Sequence, residues 1–534
     1  MGYSSKSLGD YSMENTNYFD INTTASLVYE KMFSPDFKLK AEGGYINYYS
    51  NKRYSTSSTD GLTVPGFYSL SNSTNAVTTS STLTKWGSNS VYGYLDFDIY
   101  KACHLSITGR NDKISILPTK NNSYFYPSAT GSVILSDLVK LPEWFSYAKL
   151  RGGYMQGRTG MGPNGVYSFI TAYSSGTKWG NATSVSYSNA SIGSDIKNQL
   201  EKSWEIGTEL KFLGNRIGIE ATYYSTLISD ALMNVTLSET TGYTSAIENY
   251  QGETGIKGWE VNLNCIPVRT ENFKWNTLLN MSHYRNYQVK LAPGEEYGID
   301  LAKKGERTDV IYAQDVQKNA DGQTVVGTNG MPLWNPYNTK RGYSDPNLIY
   351  GLTNNISYKN WDLSFSFDGS LGGLIGSTTI QKMLWGGTSP QSVNKYRDDA
   401  CAGLSTYVVP NSVTLAGGSA TFNPTTGEIA SDSRTYTANN TEINYIAYMK
   451  TYNSGMDAWH YFKRDFIKLR ELMLTYKLDN KMLKKSPFTG VSVSLVGRNL
   501  WLASKIKDID PETDDSNLQS PSMRSYGFNI NIQF

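Results

Sequence analysis

Hydrophobic and polar residues alternate along most of the chain. Near its end, the stretch FNINIQF places Phe528, Ile530, Ile532 and Phe534 on one face of a strand, with amide side chains on the other. The stretches WDLSFSFD, GVSVSLVG and VYGYLDFDIY repeat this period of two. In FIKLRELMLTYKL the apolar set changes face around Glu471, which predicts a β-bulge. The pattern predicts strands with one apolar face and one polar face.

About fifteen such strands can be counted, and no long amphipathic helix competes with them. Each strand is close to the roughly 9–11 residues that a tilted strand needs to cross a bilayer. The predicted strands lie near 19–32, 36–49, 91–101, 104–112, 126–136, 146–156, 200–212, 216–228, 254–267, 272–286, 349–358, 361–371, 464–478, 490–501 and 523–534.

Short and long connections alternate between these strands. The long ones lie at about 50–90, 157–199, 229–253, 287–348 and 372–463. Short turns on one side and long loops on the other are typical of transmembrane β-barrels. The fold class predicted for residues 1–534 is therefore all-β, a single transmembrane antiparallel β-barrel domain with 14–16 strands present and long extracellular loops.

Composition and charge agree with a membrane barrel. The mean hydropathy is −0.43 and no apolar run approaches 18 residues, which excludes a transmembrane helix but not a barrel of alternating strands. The 49 Lys and Arg residues nearly balance 47 Asp and Glu residues, which argues against a nucleic-acid partner. The chain holds 40 Tyr residues, which suit half-apolar, half-wet surfaces.

The strand count also predicts an orientation. The last strand ends on the short-turn side, so the C-terminus is expected to be periplasmic. Because the number of strands is odd, the first strand is then expected to start outside the cell. Residues 1–18 have neither the basic region nor the apolar region of a signal peptide. We expect the chain to be the later part of a larger barrel, incomplete at its N-terminus.

Six stretches, in order, resemble one family. They are GRNDKISILPTKNNSYFYPSATGSV, KLRGGYMQGRTG, LEKSWEIGTELKFLGNRIGIEATYY, NYQGETGIKGWEVNLN, DPNLIYGLTNNISYKNWDLSFSFDGSLGG and RDFIKLRELMLTYKL with LVGRNLWLASKIKDIDPET and SYGFNINIQF. Together they are similar to the SusC/RagA-like TonB-dependent outer-membrane transporters of Bacteroidetes. Gly153, Arg158, Ile256 and Trp259 depart from that family's motifs.

The resemblance implies a 22-stranded barrel in the cell outer membrane, with the plug and N-terminal domains absent from this chain. It implies import of an oligosaccharide or peptide ligand with TonB energy coupling beneath a SusD-like lipoprotein lid. The implied partners are that lipoprotein, the TonB complex through a missing N-terminal segment, the barrel-assembly machinery and outer-membrane lipid. An outer-membrane adhesin or structural barrel that transports nothing is the alternative.

Aromatic residues in the long loops are the candidate ligand-binding residues. Aromatic faces pack on sugar rings or peptide side chains, while flanking amides and hydroxyls bind polar groups. The competing interpretation is that these rings only pack the loops together. The candidates are Tyr173, Trp179, Trp334, Tyr337, Trp385, Tyr407 and Trp459.

Catalysis and cofactors find little support in the sequence. No carboxylate pair stands out for hydrolysis, and the three Cys and three His residues are too scattered for a disulfide framework or a zinc site, so no enzyme is expected. Asp508, Asp510, Glu512 and Asp514 could coordinate calcium, but they lack the glycine and spacing of a calcium loop. A solvated acidic loop is the favoured interpretation of these residues, and no cofactor is expected.

The end of the chain carries a second predicted signal. Phe528, Ile530, Ile532 and Phe534 form an amphipathic last strand with a terminal aromatic residue. Such a strand resembles the signal that the barrel-assembly machinery recognises, and edge pairing could capture it. The same residues also suit the lower aromatic girdle of a barrel.

Overall fold

The structure is a computed structural model dominated by one large β-sheet. It describes residues 8–159, 173–176, 179–180, 182, 184–193, 195–455, 457–484, 486–512 and 522–534. The sheet has fifteen strands: β1 Ser12–Ser34, β2 Phe37–Ser58, β3 Thr78–Ile99, β4 Cys103–Ile114, β5 Ser123–Ile134, β6 Phe145–Thr159, β7 Gln199–Phe212, β8 Ile217–Ser229, β9 Glu253–Arg269, β10 Phe273–Lys290, β11 Leu348–Tyr358, β12 Trp361–Leu371, β13 Phe466–Lys477, β14 Gly490–Ser504 and β15 Ser525–Gln533.

Every strand of the sheet pairs with its neighbour in sequence, and every pair is antiparallel. This order makes the sheet a continuous meander, as expected for a barrel wall. Within the described residues, β1 and β15 each pair on one side only. The predicted all-β class and the predicted number of strands are both confirmed.

The two faces of the sheet differ as the alternation predicts. Large apolar side chains are exposed on one face, among them Ile206 at 58%, Trp361 at 46% and Ile530 at 52%. The other face carries charged groups in pairs, such as Arg151 with Glu220 and Lys477 with Asp362. A soluble protein rarely exposes a continuous apolar surface of this size, whereas a lipid-facing band requires one.

Three strands extend well beyond their predicted bounds. β1, β2 and β3 have 23, 22 and 22 residues, and β3 begins at Thr78 rather than near residue 91. The added part of β3, TTSSTLTKWGSNS, is mostly polar and has no apolar alternation to reveal it. Backbone pairing with β2 extends this segment, so the connection predicted at 50–90 contains only 59–77 outside strands.

The predicted bulge is present in β13. The pairing with β14 shifts between Leu469 and Glu471, and the pairing with β12 shifts between Ser366 and Phe367. The extra residue is Arg470, whose guanidinium pairs with Asp368 and with Glu512. The bulge therefore places the guanidinium of Arg470 beside two carboxylates.

The long connections contain their own small elements and all emerge at one end of the sheet. The described helices are short and none has the length and hydropathy that a membrane crossing requires. The long connections contain α2 Thr378–Trp385, α3 Lys395–Cys401 and α4 Tyr445–Tyr452, whereas α1 Leu135–Leu138 and α5 Asn480–Leu483 lie in connections at the other end of the sheet. The loop strands are Ser174–Ser175, Val185–Ser186, Ala190–Ile192, Leu232–Thr236, Ser245–Asn249, Val310–Ala313, Thr324–Val326, Thr339–Tyr343, Leu374–Gly376, Ser412–Gly417, Ala420–Phe422, Ile429–Asp432, Thr435–Ala438 and Tyr461–Lys463.

A charge placed on the apolar face tests whether that face meets lipid. Ile206→Lys is expected to lower the free energy of unfolding in bilayers by about 2–4 kcal/mol, because Ile206 lies mid-strand in β7. Ser203→Lys, on the polar face of the same strand, should cost much less. Urea unfolding in lipid vesicles measures both variants, and equal, small effects would contradict a lipid-facing surface.

Candidate functional site

A large cavity lined by aromatic rings lies among the described parts of the long loops. It has a volume of about 750 Å³ and is bounded by α2, α4, the segment around Trp459 and the segment that follows β14. Its size is that of a site for a small ligand or one part of a larger one. The lining residues are Ile380, Leu384, Pro390, Gln391, Tyr407, Tyr445, Tyr448, Met449, Tyr452, Asn453, Trp459, Phe462, Lys505, Ile506, Lys507 and Asp508.

Side-chain caps start the helices that form the cavity wall. Ser377 accepts a hydrogen bond from the backbone N–H of Ile380, 2.9 Å away, and begins α2. Asn444 accepts one from Ala447 and begins α4. Ser and Asn are preferred at this position because they satisfy a backbone donor that the helix leaves free. The caps therefore fix the residue at which each helix begins, and with it the direction in which the aromatic side chains of the helix point.

Aromatic rings form a stacked column along the cavity. The ring of Tyr452 lies 3.8 Å from that of Trp459, at an interplanar angle of 3°. The ring of Tyr452 also stacks on Tyr448, at 5.0 Å and 17°. Trp334 from the preceding long loop contacts Trp459 at 5.3 Å and 38°. The column joins two loops that are distant in sequence.

Tyr407 belongs to the tyrosine cluster beside this column. Its ring contacts Tyr445 and Tyr448, each at 5.0 Å, and Tyr396 at 5.2 Å. Burial of these hydroxyls raises the pKa values of Tyr407, Tyr448 and Tyr452. The phenols therefore remain protonated at neutral pH and can donate hydrogen bonds.

A histidine and an aspartate are buried behind the column. The backbone N–H of Asp457 donates to His460 Nδ1 at 3.0 Å, so the proton of the ring is on Nε2, which donates to Asn453. Burial lowers the pKa of His460 to about 4. Burial, with a contribution from the charge of Asp315, raises the pKa of Asp457 to about 6.

These two shifts predict opposite responses to pH. The stability linked to Asp457 is lost as pH rises from about 4 to 6, because the folded state disfavours its carboxylate. The stability linked to His460 is lost as pH falls from about 6.5 to 4. We expect Asp457→Asn to stabilise the loops at pH 7.5 and to remove the loss of stability that occurs between pH 4 and 6. Hydrogen exchange of residues 445–455 against pH measures this change.

Asp432 is a matched control for that experiment. Hydrogen bonds from Arg434 lower the pKa of Asp432 to about 2, so its carboxylate is favoured in the folded state. Asp432→Asn should therefore destabilise its own hairpin at pH 7.5, the opposite sign to Asp457→Asn. Equal signs in the two variants would contradict the burial argument.

The segment that follows β14 is held on the sheet by charges. Lys468 is 1% exposed and donates to Asp510 at 2.5 Å and to Glu512 at 2.9 Å. Arg464 donates to the backbone carbonyls of Pro511 and Glu512. These contacts keep the pKa values of the Asp510 and Glu512 carboxyls below their usual range, against the effect of burial. The segment that follows β14 is therefore docked on the sheet. The prediction of a solvated acidic loop is wrong for Asp510, which is only 5% exposed.

Two of the four candidate calcium ligands form ion pairs with basic side chains. Asp510 and Glu512 face cations, while Asp508 lines the aromatic cavity. Asp514 lies outside the described residues. No described set of three or more His, Cys, Asp or Glu side chains is arranged to hold a metal ion.

The structure brings together part of the predicted aromatic set. Tyr407 and Trp459 line the cavity, and Trp334 contacts Trp459 from behind the lining. Trp385 lines a smaller cavity with Arg397 and Lys450. The other three lie apart in exposed positions: Tyr173 at 69%, Trp179 at 87% and Tyr337 at 41%. Tyr173 contacts Tyr187 in its own loop.

Several cavity residues were not predicted from the sequence. Tyr445, Tyr448 and Tyr452 follow a spacing of three and four residues, which a search for short helices would have detected. Lys505 and Lys507 gave no signal because they sit in a polar stretch between strands. Their place at the cavity depends on how the segment docks.

Three of the predicted assembly residues alternate along β15, all of whose residues are exposed, and the fourth, Phe534, follows its last residue. Phe528, Ile530, Ile532 and Phe534 are 75%, 52%, 43% and 84% exposed. The ring of Phe534 contacts that of Phe488 at 5.4 Å, which ties it to the turn between β13 and β14. A role in assembly remains a prediction.

Comparison with known proteins agrees with this architecture. The model of the family described as "TonB dependent receptor-like, beta-barrel" matches residues 2–309, which is more than half of the chain. The chain belongs to this family. Its members are outer-membrane transporters rather than enzymes, and the predicted resemblance to SusC/RagA-like transporters is confirmed.

Two curated relatives illustrate the similarity. TonB-dependent receptor P26 of Formosa agariphila is 25% identical, over 94% of this chain and 51% of its own length. TonB-dependent receptor SusC of Bacteroides thetaiotaomicron is 26% identical, over 34% of this chain and 20% of its own length. The chain thus spans about half the length, or less, of the curated relatives it matches.

A solved structure shows the same fold. The RagAB peptide transporter superposes with a TM-score of 0.74 at 17% identity, covering all of this chain and 57% of the transporter chain. At that identity the likeness shows the fold alone. The fifteen strands correspond to part of a TonB-dependent receptor barrel.

Proposed function

We propose that this protein is an outer-membrane nutrient importer that takes up oligosaccharides or peptides with TonB energy coupling. The aromatic cavity is the observation that supports the proposal most strongly. Its rings, amides and lysines are drawn from loops at one end of a barrel wall, where an imported ligand arrives first. Aromatic lining with a few placed polar groups is typical of ligand sites.

The partners in this proposal are those of a complete transporter. A SusD-like lipoprotein would cover the long loops, and the TonB complex would supply the energy for import. The barrel-assembly machinery would insert the barrel into outer-membrane lipid, with the C-terminus in the periplasm. SusC and the RagAB peptide transporter are similar proteins, and their names support import rather than a particular substrate.

Growth of a deletion strain tests the proposal. We expect loss of the gene to abolish growth on one class of oligosaccharide or peptide as sole carbon source, and the wild-type gene to restore it. An inactive TonB should reproduce the defect. Normal growth on every substrate, combined with lost attachment to surfaces, would contradict import and support an adhesin.

A further inference from the structure

Two lysines at the rim of the aromatic cavity have no charged partner among the described residues. Lys505 and Lys507 both line the cavity and are exposed, whereas Ile506 between them is 5% exposed. Their one charged neighbour in the lining is Asp508, and none of the described ion pairs involves these three residues. Two ammonium groups against one carboxylate give the rim a net positive charge.

The lysines are held in place by both ends of their segment. Ile506 packs with Ile375 and Ile380 in an apolar cluster under α2. A few residues on, Asp510 and Glu512 pair with the buried Lys468. Because both flanks are fixed, the backbone of Lys505 and Lys507 is held beside the cavity, which lowers the cost of ordering a ligand there.

The aromatic wall presents donors to the same space. Tyr448 and Trp459 cover the two faces of Tyr452, so Tyr452 can offer a ligand only its edge and its hydroxyl. Ring edges carry partial positive charge, and a protonated phenol donates a hydrogen bond. Lysines, ring edges and phenols therefore all favour a negatively charged group.

We infer that the cavity binds an acidic oligosaccharide, whose carboxylate or sulfate group lies between Lys505 and Lys507. The inference rests on the proposed function and names its substrate class. An acidic peptide is the less favourable occupant. The helical part of the wall, α2 and α4, has its backbone groups bonded within the helices and offers no free strand edge for a peptide. Gln391 and the phenols suit sugar hydroxyls instead.

Binding to the purified full-length protein in detergent tests the inference. The probes are trigalacturonate, a sulfated carrageenan tetrasaccharide, neutral galactotriose and triglutamate, titrated by calorimetry. We expect one or both acidic oligosaccharides to bind more tightly than the neutral one. Tighter binding of trigalacturonate would identify a carboxylate as the bound group, and tighter binding of the carrageenan tetrasaccharide would identify a sulfate. The double variant Lys505→Gln/Lys507→Gln should weaken that binding about a hundredfold, roughly tenfold for each charged hydrogen bond.

Matched variants separate charge from folding. Lys304→Gln removes an exposed lysine from another long loop and should change affinity less than about twofold. Lys505→Arg keeps the charge and should preserve binding, while Asp508→Asn should strengthen it because a like charge is removed.

Three outcomes would overturn the inference: acidic and neutral sugars binding equally, unchanged affinity in the double variant, or triglutamate binding tightest. Failure of both acidic sugars to bind at millimolar concentration would also overturn it. These measurements use purified protein, so they are independent of growth. Import lost in the deletion strain with no acidic preference in vitro would overturn the ligand class and leave the proposed function standing.

Discussion

Replacing Lys468 by methionine should destabilise the segment 505–512 by about 3–5 kcal/mol, one of the two largest effects expected of any single change considered for this protein. The ammonium group is 1% exposed and neutralises Asp510, which is itself 5% exposed. Without it, Asp510 keeps a buried charge that only hydrogen bonds compensate. Faster hydrogen exchange across residues 505–512 would report the release of the segment.

Two controls isolate the buried charge. The double variant Lys468→Met/Asp510→Leu removes both partners and should recover much of the lost stability. Arg498→Met breaks an ion pair with Glu471 in which the arginine side chain is 63% exposed, so it should cost less than about 1 kcal/mol. If Lys468→Met behaved like Arg498→Met, the docked segment would not depend on the ion pair.

Trp459→Ala should lower the stability of the loop assembly by about 3–5 kcal/mol. The indole stacks on Tyr452 at 3.8 Å and contacts Trp334 at 5.3 Å, so its removal leaves a void between two loops. Near-ultraviolet circular dichroism during thermal unfolding would measure the loss.

Trp179→Ala is the matched control for the stacked column of aromatic rings. Trp179 is 87% exposed, and its replacement should change stability by no more than about 0.5 kcal/mol. Similar effects for Trp179→Ala and Trp459→Ala would show that the stacked column does not hold the loops together. Full stability of Trp459→Ala with weaker ligand binding would assign that ring to the ligand alone.

The barrel wall could be predicted from sequence because one physical constraint repeats along it. Lipid on one side and water on the other impose a period of two, which is visible in Leu363, Phe365 and Phe367 of β12. Outside the membrane this constraint is absent, and the alternation of apolar and polar residues is absent with it. The polar half of β3, from Thr78, was missed because strand pairing outside the membrane leaves no alternation.

The cavity was harder to predict, since it depends on contacts between distant loops. Trp334 and Trp459 were candidates by residue type, but nothing in the sequence indicates that they touch each other. Lys505 was missed entirely, because its position follows from the pairing of Asp510 with Lys468 on another strand. Composition identifies which residues could bind a ligand, and only tertiary structure selects among them.

Uptake of a labelled ligand by whole cells tests the central claim of import most directly. The initial rate of uptake of a fluorescent oligosaccharide or peptide would be compared between the wild type, the deletion strain and a strain with inactive TonB. Import predicts that uptake is lost in both mutants and returns when the full-length gene is restored. Equal uptake in all strains for every ligand that supports growth would contradict it.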